Sequence, residues 1–213
     1  MTTFVSLLLV LHIGAGFIAL GAGLVAAGNK IFNRAHRWHV RSGRVFFVAM
    51  CMVFITALPL SILRNNVFLL LIAIFSFYLA LSGWCHARNR EGTPQRIDWI
   101  RAIAMLLCSA LMASYGMLLL SAGNNGGTIM LAFGIIGALL GFGDVRIIRA
   151  GGLRGPERIA RHLTMMLAAT IATITAFLVV NFVFNPALVL WLAPTVVIVP
   201  LIVVMSRRVR HPA

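Results

Sequence analysis

The fold is indicated first by residues 4–27, FVSLLLVLHIGAGFIALGAGLVAA, a stretch that contains no charged side chain. A helix of about 20 apolar residues is long enough to cross the roughly 30 Å hydrocarbon core of a bilayer. Six further apolar runs follow, at about 43–63, 67–86, 99–121, 127–148, 159–182 and 186–206. The sequence therefore predicts an all-α bundle of seven transmembrane helices, with residues 1–213 forming a single domain.

The composition supports this interpretation. Hydrophobic residues make up 61% of the chain and charged residues 10%, whereas a soluble domain is roughly 45–50% apolar and about a quarter charged. A soluble enzyme, a secreted disulfide scaffold and a disordered chain are therefore excluded. The three cysteines, Cys51, Cys85 and Cys108, each belong to a different run. This spacing fits neither a disulfide framework nor a zinc motif and predicts free, buried thiols.

The basic residues alternate between the two sides of the predicted membrane. Net charge is +14, and every Lys or Arg except Arg64 falls on one side. Cytoplasmic loops carry such an excess, so we expect the N-terminus outside and the C-terminus in the cytoplasm of a bacterial inner membrane. Anionic lipid head groups are the expected partners of this rim, with Arg41 and Arg44 as candidate lipid or phosphate contacts. No nucleic-acid partner is expected.

Three histidines and one carboxylate are predicted to lie at one depth near the cytoplasmic boundary: His39, His86, His162 and Asp144. Neutral imidazole suits zinc, copper or iron, and two histidines on facing helices can ligate a haem b. The three histidines are therefore candidate cofactor ligands, and together with Asp144 a candidate transition-metal site. The competing interpretation pairs the histidines with backbone or lipid phosphate, and Asp144 with Arg146 or Arg161.

His12 is predicted to lie in the outer half of the membrane, too far from the cytoplasmic boundary to share that site. An ionisable group inside a membrane is a functional hypothesis by default. We expect His12 and Gly16 to form an outer-leaflet ligand pocket with Tyr115 and with Thr173 or Thr175. The alternative is a neutral histidine that forms a hydrogen bond across a helix contact.

Small residues predict where helices approach closely, because helices in lipid associate through close packing. The first run has small residues at a four-residue period, and the fifth has two pairs with the same spacing: Ala15, Ala19, Gly23 and Ala27, then Gly134 with Ala138 and Gly137 with Gly141.

Several of these residues form a recognisable pattern. His12-x-x-x-Gly16 is followed by residues 39–44, HVRSGR, and later by Arg161-His162 and residues 175–177, TAF, with Asn181. This pattern resembles an uncharacterised bacterial family of multi-pass membrane proteins, a domain of unknown function. The resemblance implies a multi-pass fold and directs attention to His12, His39, Gly43, Arg44 and His162, but it implies no activity.

Two better-known groups fit less well. Seven-span zinc hydrolases of the progestin and adiponectin receptor type need a His-x-x-x-His pair late in the chain, and the seventh run has no histidine. Two-haem b-type cytochromes need four histidines at two depths, and this sequence supplies such a set at one depth only. A retinal Schiff base is excluded because the only lysine, Lys30, lies in a loop.

Three functions remain open from the sequence. The favoured function is a module that binds or transports a small or lipid-like ligand. An accessory subunit that docks a membrane-protein partner is favoured almost equally. The alternative is a membrane redox protein that binds haem b or a metal through the cytoplasmic-side histidines. Whether the protein is an enzyme is left undecided.

Overall fold

The computed structural model describes residues 2–31 and 36–211, and this part of the chain contains seven helices and no strand. All seven are long and apolar enough to cross a membrane, which confirms the predicted number of spans. The helices are α1 Thr2–Ile31, α2 His36–Leu63, α3 Val67–Arg88, α4 Arg96–Ser121, α5 Gly126–Arg149, α6 Gly155–Asn181 and α7 Leu188–Arg210.

Most helices extend beyond the predicted apolar runs, because the helical conformation continues into the polar residues at the membrane boundary. The largest difference is in α2, which begins at His36 rather than near residue 43. His39 consequently lies within α2 and not in the segment that leads to it.

The centre of the bundle is formed by α3 and α6, which pack against each other. α3 also contacts α2 and α4, while α6 also contacts α1 and α7. Among the most deeply buried side chains are Met105, Met112, Met130 and Met165. Large apolar side chains on the outer faces are exposed, such as Val48 and Leu139, as expected of helices that face lipid.

One end of the bundle carries most of the charged side chains, and we call it the basic end. It comprises the C-terminal ends of α3, α5 and α7, the start of α2, α4 and α6, and the connections 89–95 and 150–154. Contacts across it include His39 with His162, Arg158 with His86, and Arg210 with Glu157.

The connections 89–95 and 150–154 pack tightly against each other. Gly92 and Gly152 have φ values of 74° and 93°, in the left-handed region that glycine tolerates best. A Cβ atom on Gly152 would overlap the carbonyl oxygen of Gly92. The Asn89 amide donates to the carbonyl of Thr93 at 2.7 Å, and Arg154 Nε donates to that of Glu91 at 3.2 Å. The two connections thus form a cap over the ends of α3 to α6.

Candidate functional sites in the bundle and at its basic end

His12 contacts the neighbouring helix α2. Its Nδ1 lies 3.0 Å from the hydroxyl oxygen of Thr56, and this hydroxyl donates to the Met52 carbonyl at 2.7 Å. Because the hydroxyl hydrogen is already committed, His12 Nδ1–H is the donor in the pair. This is the interhelical hydrogen bond that the sequence left open as the alternative to a ligand pocket.

The other residues of the predicted outer pocket have local contacts of their own. Thr173 donates its hydroxyl to the Thr170 carbonyl of its own helix at 2.8 Å. Tyr115 packs against the core from α4, a helix that contacts α3 and α5. A Cβ placed on Gly16 would meet nothing within 4 Å. The approximate depth of these residues can be predicted from their positions in the apolar runs, but which helices are neighbours cannot.

Two of the three boundary histidines come together. The ring centroids of His39 and His162 are 6.4 Å apart and their planes are nearly perpendicular. His39 Nδ1 donates to the Ala26 carbonyl at 3.0 Å, and His162 Nδ1 donates to the Gly83 carbonyl at 2.8 Å. A carbonyl only accepts, so the neutral form of each ring has its free lone pair on Nε2.

His86 and Asp144 lie in a different cluster. Both line a cleft under the cap, whereas His39 is bonded to α1 and His162 to α3, and neither of these two lines the cleft. Within residues 2–31 and 36–211, no three His, Cys, Asp or Glu side chains are grouped closely enough to hold a metal ion. The structure therefore does not assemble the predicted four-residue metal site, because its members face two different helix contacts.

Asp144 is buried and forms two strong hydrogen bonds. Its carboxylate accepts from Arg161 at 2.6 Å and from the Tyr78 hydroxyl at 2.8 Å. Of the two partners suggested by the sequence, Arg161 is the one used. The Asp144–Arg161 ion pair links α5 to α6, and the Tyr78 hydroxyl links α3 to the same carboxylate.

The cleft under the cap holds a second buried ion pair. Arg101 bonds to Asp98 on the same helix, and its side chain is 3% exposed. Arg158 Nη1 donates to the carbonyls of His86 and Ala87 at 2.6 and 3.1 Å. The cleft has an empty volume of about 380 Å³, including the part that is open to solvent. In the sequence these arginines are signals of topology, and the burial of Arg101 was not predicted from it.

A larger, mostly apolar cavity lies between α3, α5, α6 and α7, with an empty volume of about 1230 Å³ that includes open space. Apolar side chains form most of its wall, and Arg207 and Arg210 lie at the basic end of it. Its polar lining residues are Thr164, Thr175, Thr195 and Ser206. Thr175 is 3% exposed, and its hydroxyl has no hydrogen-bond partner in the described part of the chain.

The remaining predicted residues are two surface arginines and three cysteines that form no disulfide. Arg41 and Arg44 are exposed, and the Arg41 guanidinium lies 5.9 Å from the centroid of the Trp38 ring. Cys51, Cys85 and Cys108 are free thiols; Cys108 is buried, as predicted, whereas Cys51 and Cys85 are partly exposed.

Comparisons with protein-family models, curated proteins and solved structures found no match to this chain.

Proposed function

We propose that the protein binds an anionic phospholipid, with one acyl chain in the cavity between α3, α5, α6 and α7 and the phosphate at Arg207. The observation that carries this proposal is an apolar cavity at membrane depth that ends in arginine side chains. Ligand sites typically combine a mainly apolar wall with a few placed polar groups.

The charges at the mouth favour Arg207 as the phosphate contact. Arg210 Nε lies 3.0 Å from a carboxylate oxygen of Glu157, so its charge is partly offset. Arg207 forms no ion pair within the described residues. A guanidinium matches phosphate oxygens in geometry and charge.

The packing of α5 and α7 supports entry of a lipid chain from the bilayer. α7 packs closely on α6 but only slightly on α5. The cavity lies between these two helices, with Phe133 and Leu140 of α5 on one wall and Val199 and Val203 of α7 on the other.

The test is mass spectrometry of lipids retained by the protein after purification in a mild detergent. We expect retained anionic phospholipid in the wild type and a several-fold loss in Arg207→Gln. Arg208→Gln is the matched control, because Arg208 is a neighbouring exposed arginine outside the cavity. Equal retention in all three proteins, or retention of neutral lipid alone, would overturn the proposal.

A second pair of variants tests the position of the acyl chain. Ala172→Phe places a ring inside the cavity, while Ala176→Phe places one on an exposed position four residues further along α6. We expect only the first to reduce lipid retention.

The proposal includes an orientation. We infer a bacterial inner membrane with the basic end in the cytoplasm and the N-terminus outside. The clustering of arginines at one end of the bundle supports this, since cytoplasmic ends carry the Lys and Arg excess.

A second candidate function is redox chemistry at His39 and His162. Two imidazoles that bind one metal on opposite sides at about 2 Å place their ring centroids about 6 Å apart, and the observed separation is 6.4 Å. Backbone acceptors on Nδ1, as found here, are the usual outer-shell partners of metal-bound histidine. Haem b or a single transition-metal ion would be held through the two Nε2 atoms.

The measurement is an absorption spectrum of the purified protein, oxidised and reduced, with metal analysis on the same sample. A Soret band or stoichiometric metal that is lost in His162→Ala would support this candidate. A flat spectrum without metal, from haem-replete and metal-replete cells, would remove it and leave the lipid proposal unaffected.

A further inference from the structure

The cleft under the cap lies in a cluster with an excess of positive charge. Arg101, Arg158, Asp98 and Asp144 line the cleft, and Arg161 belongs to the same cluster through its ion pair with Asp144. Each aspartate is matched by one arginine, Asp98 by Arg101 and Asp144 by Arg161. Arg158 has only backbone carbonyls as acceptors. The cluster therefore carries one positive charge that no carboxylate balances.

Several buried nitrogen atoms of the cleft residues also have no hydrogen-bond partner in the described part of the chain. These atoms are Arg101 Nε and Nη1, Arg158 Nε and His86 Nε2. A buried polar group left without a partner costs about 1–3 kcal/mol, and more when it is charged. Arg101 is the most severe case, because its side chain is almost fully buried.

A bound anion resolves both features at once. It would neutralise the unmatched charge and accept from the guanidinium N–H groups, and His86 can donate from Nε2 in the matching tautomer. A water molecule would satisfy the donors but leave the charge unbalanced. The Gly92 and Gly152 contact closes the cap over this cleft, which favours a small ion over a large one.

We propose that His86, Arg101 and Arg158 form a binding site for a small monovalent anion of the halide class beneath the cap. The site is separate from the lipid cavity, since the two share no lining residue.

The test uses the full chain in a non-ionic detergent. Thermal unfolding is measured while bromide replaces gluconate at constant ionic strength, and the anomalous signal of bromide is recorded from crystals. We expect Tm to rise saturably with bromide and an anomalous peak between Arg101 and Arg158. A Tm that depends on ionic strength alone, or a cleft without bromide, would overturn the proposal.

The matched variants are Arg158→Gln and Arg96→Gln. Both remove one arginine at the basic end, but Arg96, at the start of α4, is exposed and belongs neither to the cleft nor to the cap. We expect Arg158→Gln to abolish the bromide-dependent rise in Tm and Arg96→Gln to retain it. The reverse pattern would contradict the proposed site, as would a saturable response to phosphate in place of bromide. If Arg158→Gln does not fold, the anomalous bromide signal of wild-type crystals is the test: a peak in the cleft supports the site, and its absence overturns it.

Discussion

At the residue scale, Asp144 illustrates how a membrane protein accommodates a buried charge. Its carboxylate is held by Arg161 and Tyr78, so three helices contribute to one site. Arg146 is only two residues away on the same helix, and residues two apart do not share a helix face. The partner therefore has to come from another element.

Removal of either partner of this ion pair should destabilise the bundle strongly, because it leaves a buried charge without compensation. We expect Asp144→Asn to lower the free energy of unfolding by about 3–5 kcal/mol. Tyr78→Phe removes one hydrogen bond to a charged group and should cost about 1.5–3 kcal/mol. Unfolding titrations in detergent measure both.

The double variant Asp144→Asn with Arg161→Gln serves as the control. It should be less destabilised than the sum of the two single variants, because neither remaining side chain is charged. Strict additivity would show that the two residues do not act as a pair.

The candidate sites could be predicted from the sequence only in part. The depth of His39, His86 and His162 follows from their positions in the apolar runs. Their division between two clusters depends on which helices are neighbours and how each is rotated, and periodicity does not specify either. The cavity between α3, α5, α6 and α7 was missed for the same reason, since its wall comes from four helices of ordinary apolar composition.

At the scale of elements, the contact between α4 and α5 depends on glycine. Gly116 and Gly127 face each other so closely that a Cβ on either would meet the backbone of the other. Nearer the basic end, a Cβ on Gly134 would lie 3.2 Å from the Ser109 carbonyl oxygen. The glycine pairs of the fifth run predicted a crowded helix, but the partner helix was not predictable from them.

Substitution at two glycines should separate packing from helix propensity. Gly127→Ala should destabilise the protein by about 1–3 kcal/mol, because overpacking forces the two backbones apart. Gly16→Ala is the matched control: the added methyl meets nothing within 4 Å, and alanine is the better helix former. We expect no loss of Tm in Gly16→Ala, and an equal loss in both variants would contradict the assigned contact.

At the scale of the whole molecule, the number of helices and their approximate bounds follow from hydrophobic length alone. Seven apolar runs predicted seven helices, and the structure has them within residues 2–31 and 36–211. The order of helices around the centre was not predictable. This order depends on close side-chain contacts, such as that of Gly83 in α3 with Met166 in α6. The sequence of one helix alone does not specify which helix it will contact.

The proposed orientation predicts which loops face each side of the membrane. In a variant without the three native cysteines, Asn125→Cys should react with a membrane-impermeant maleimide in intact cells. Arg90→Cys, also on an exposed connection, should react only after the cells are opened. The opposite labelling pattern would invert the orientation, and labelling of both in intact cells would indicate mixed topology.

The Arg161 and Asp144 pair has a consequence for biogenesis. The two residues belong to consecutive helices, α5 and α6, joined by the short connection 150–154. Each helix on its own would bury a charge without a partner when it packs against its neighbours, and an uncompensated buried charge is costly. Together the two side chains are neutral at that point. The two helices are therefore suited to associate first as one hairpin, in which the ion pair is already formed before the other helices pack against it.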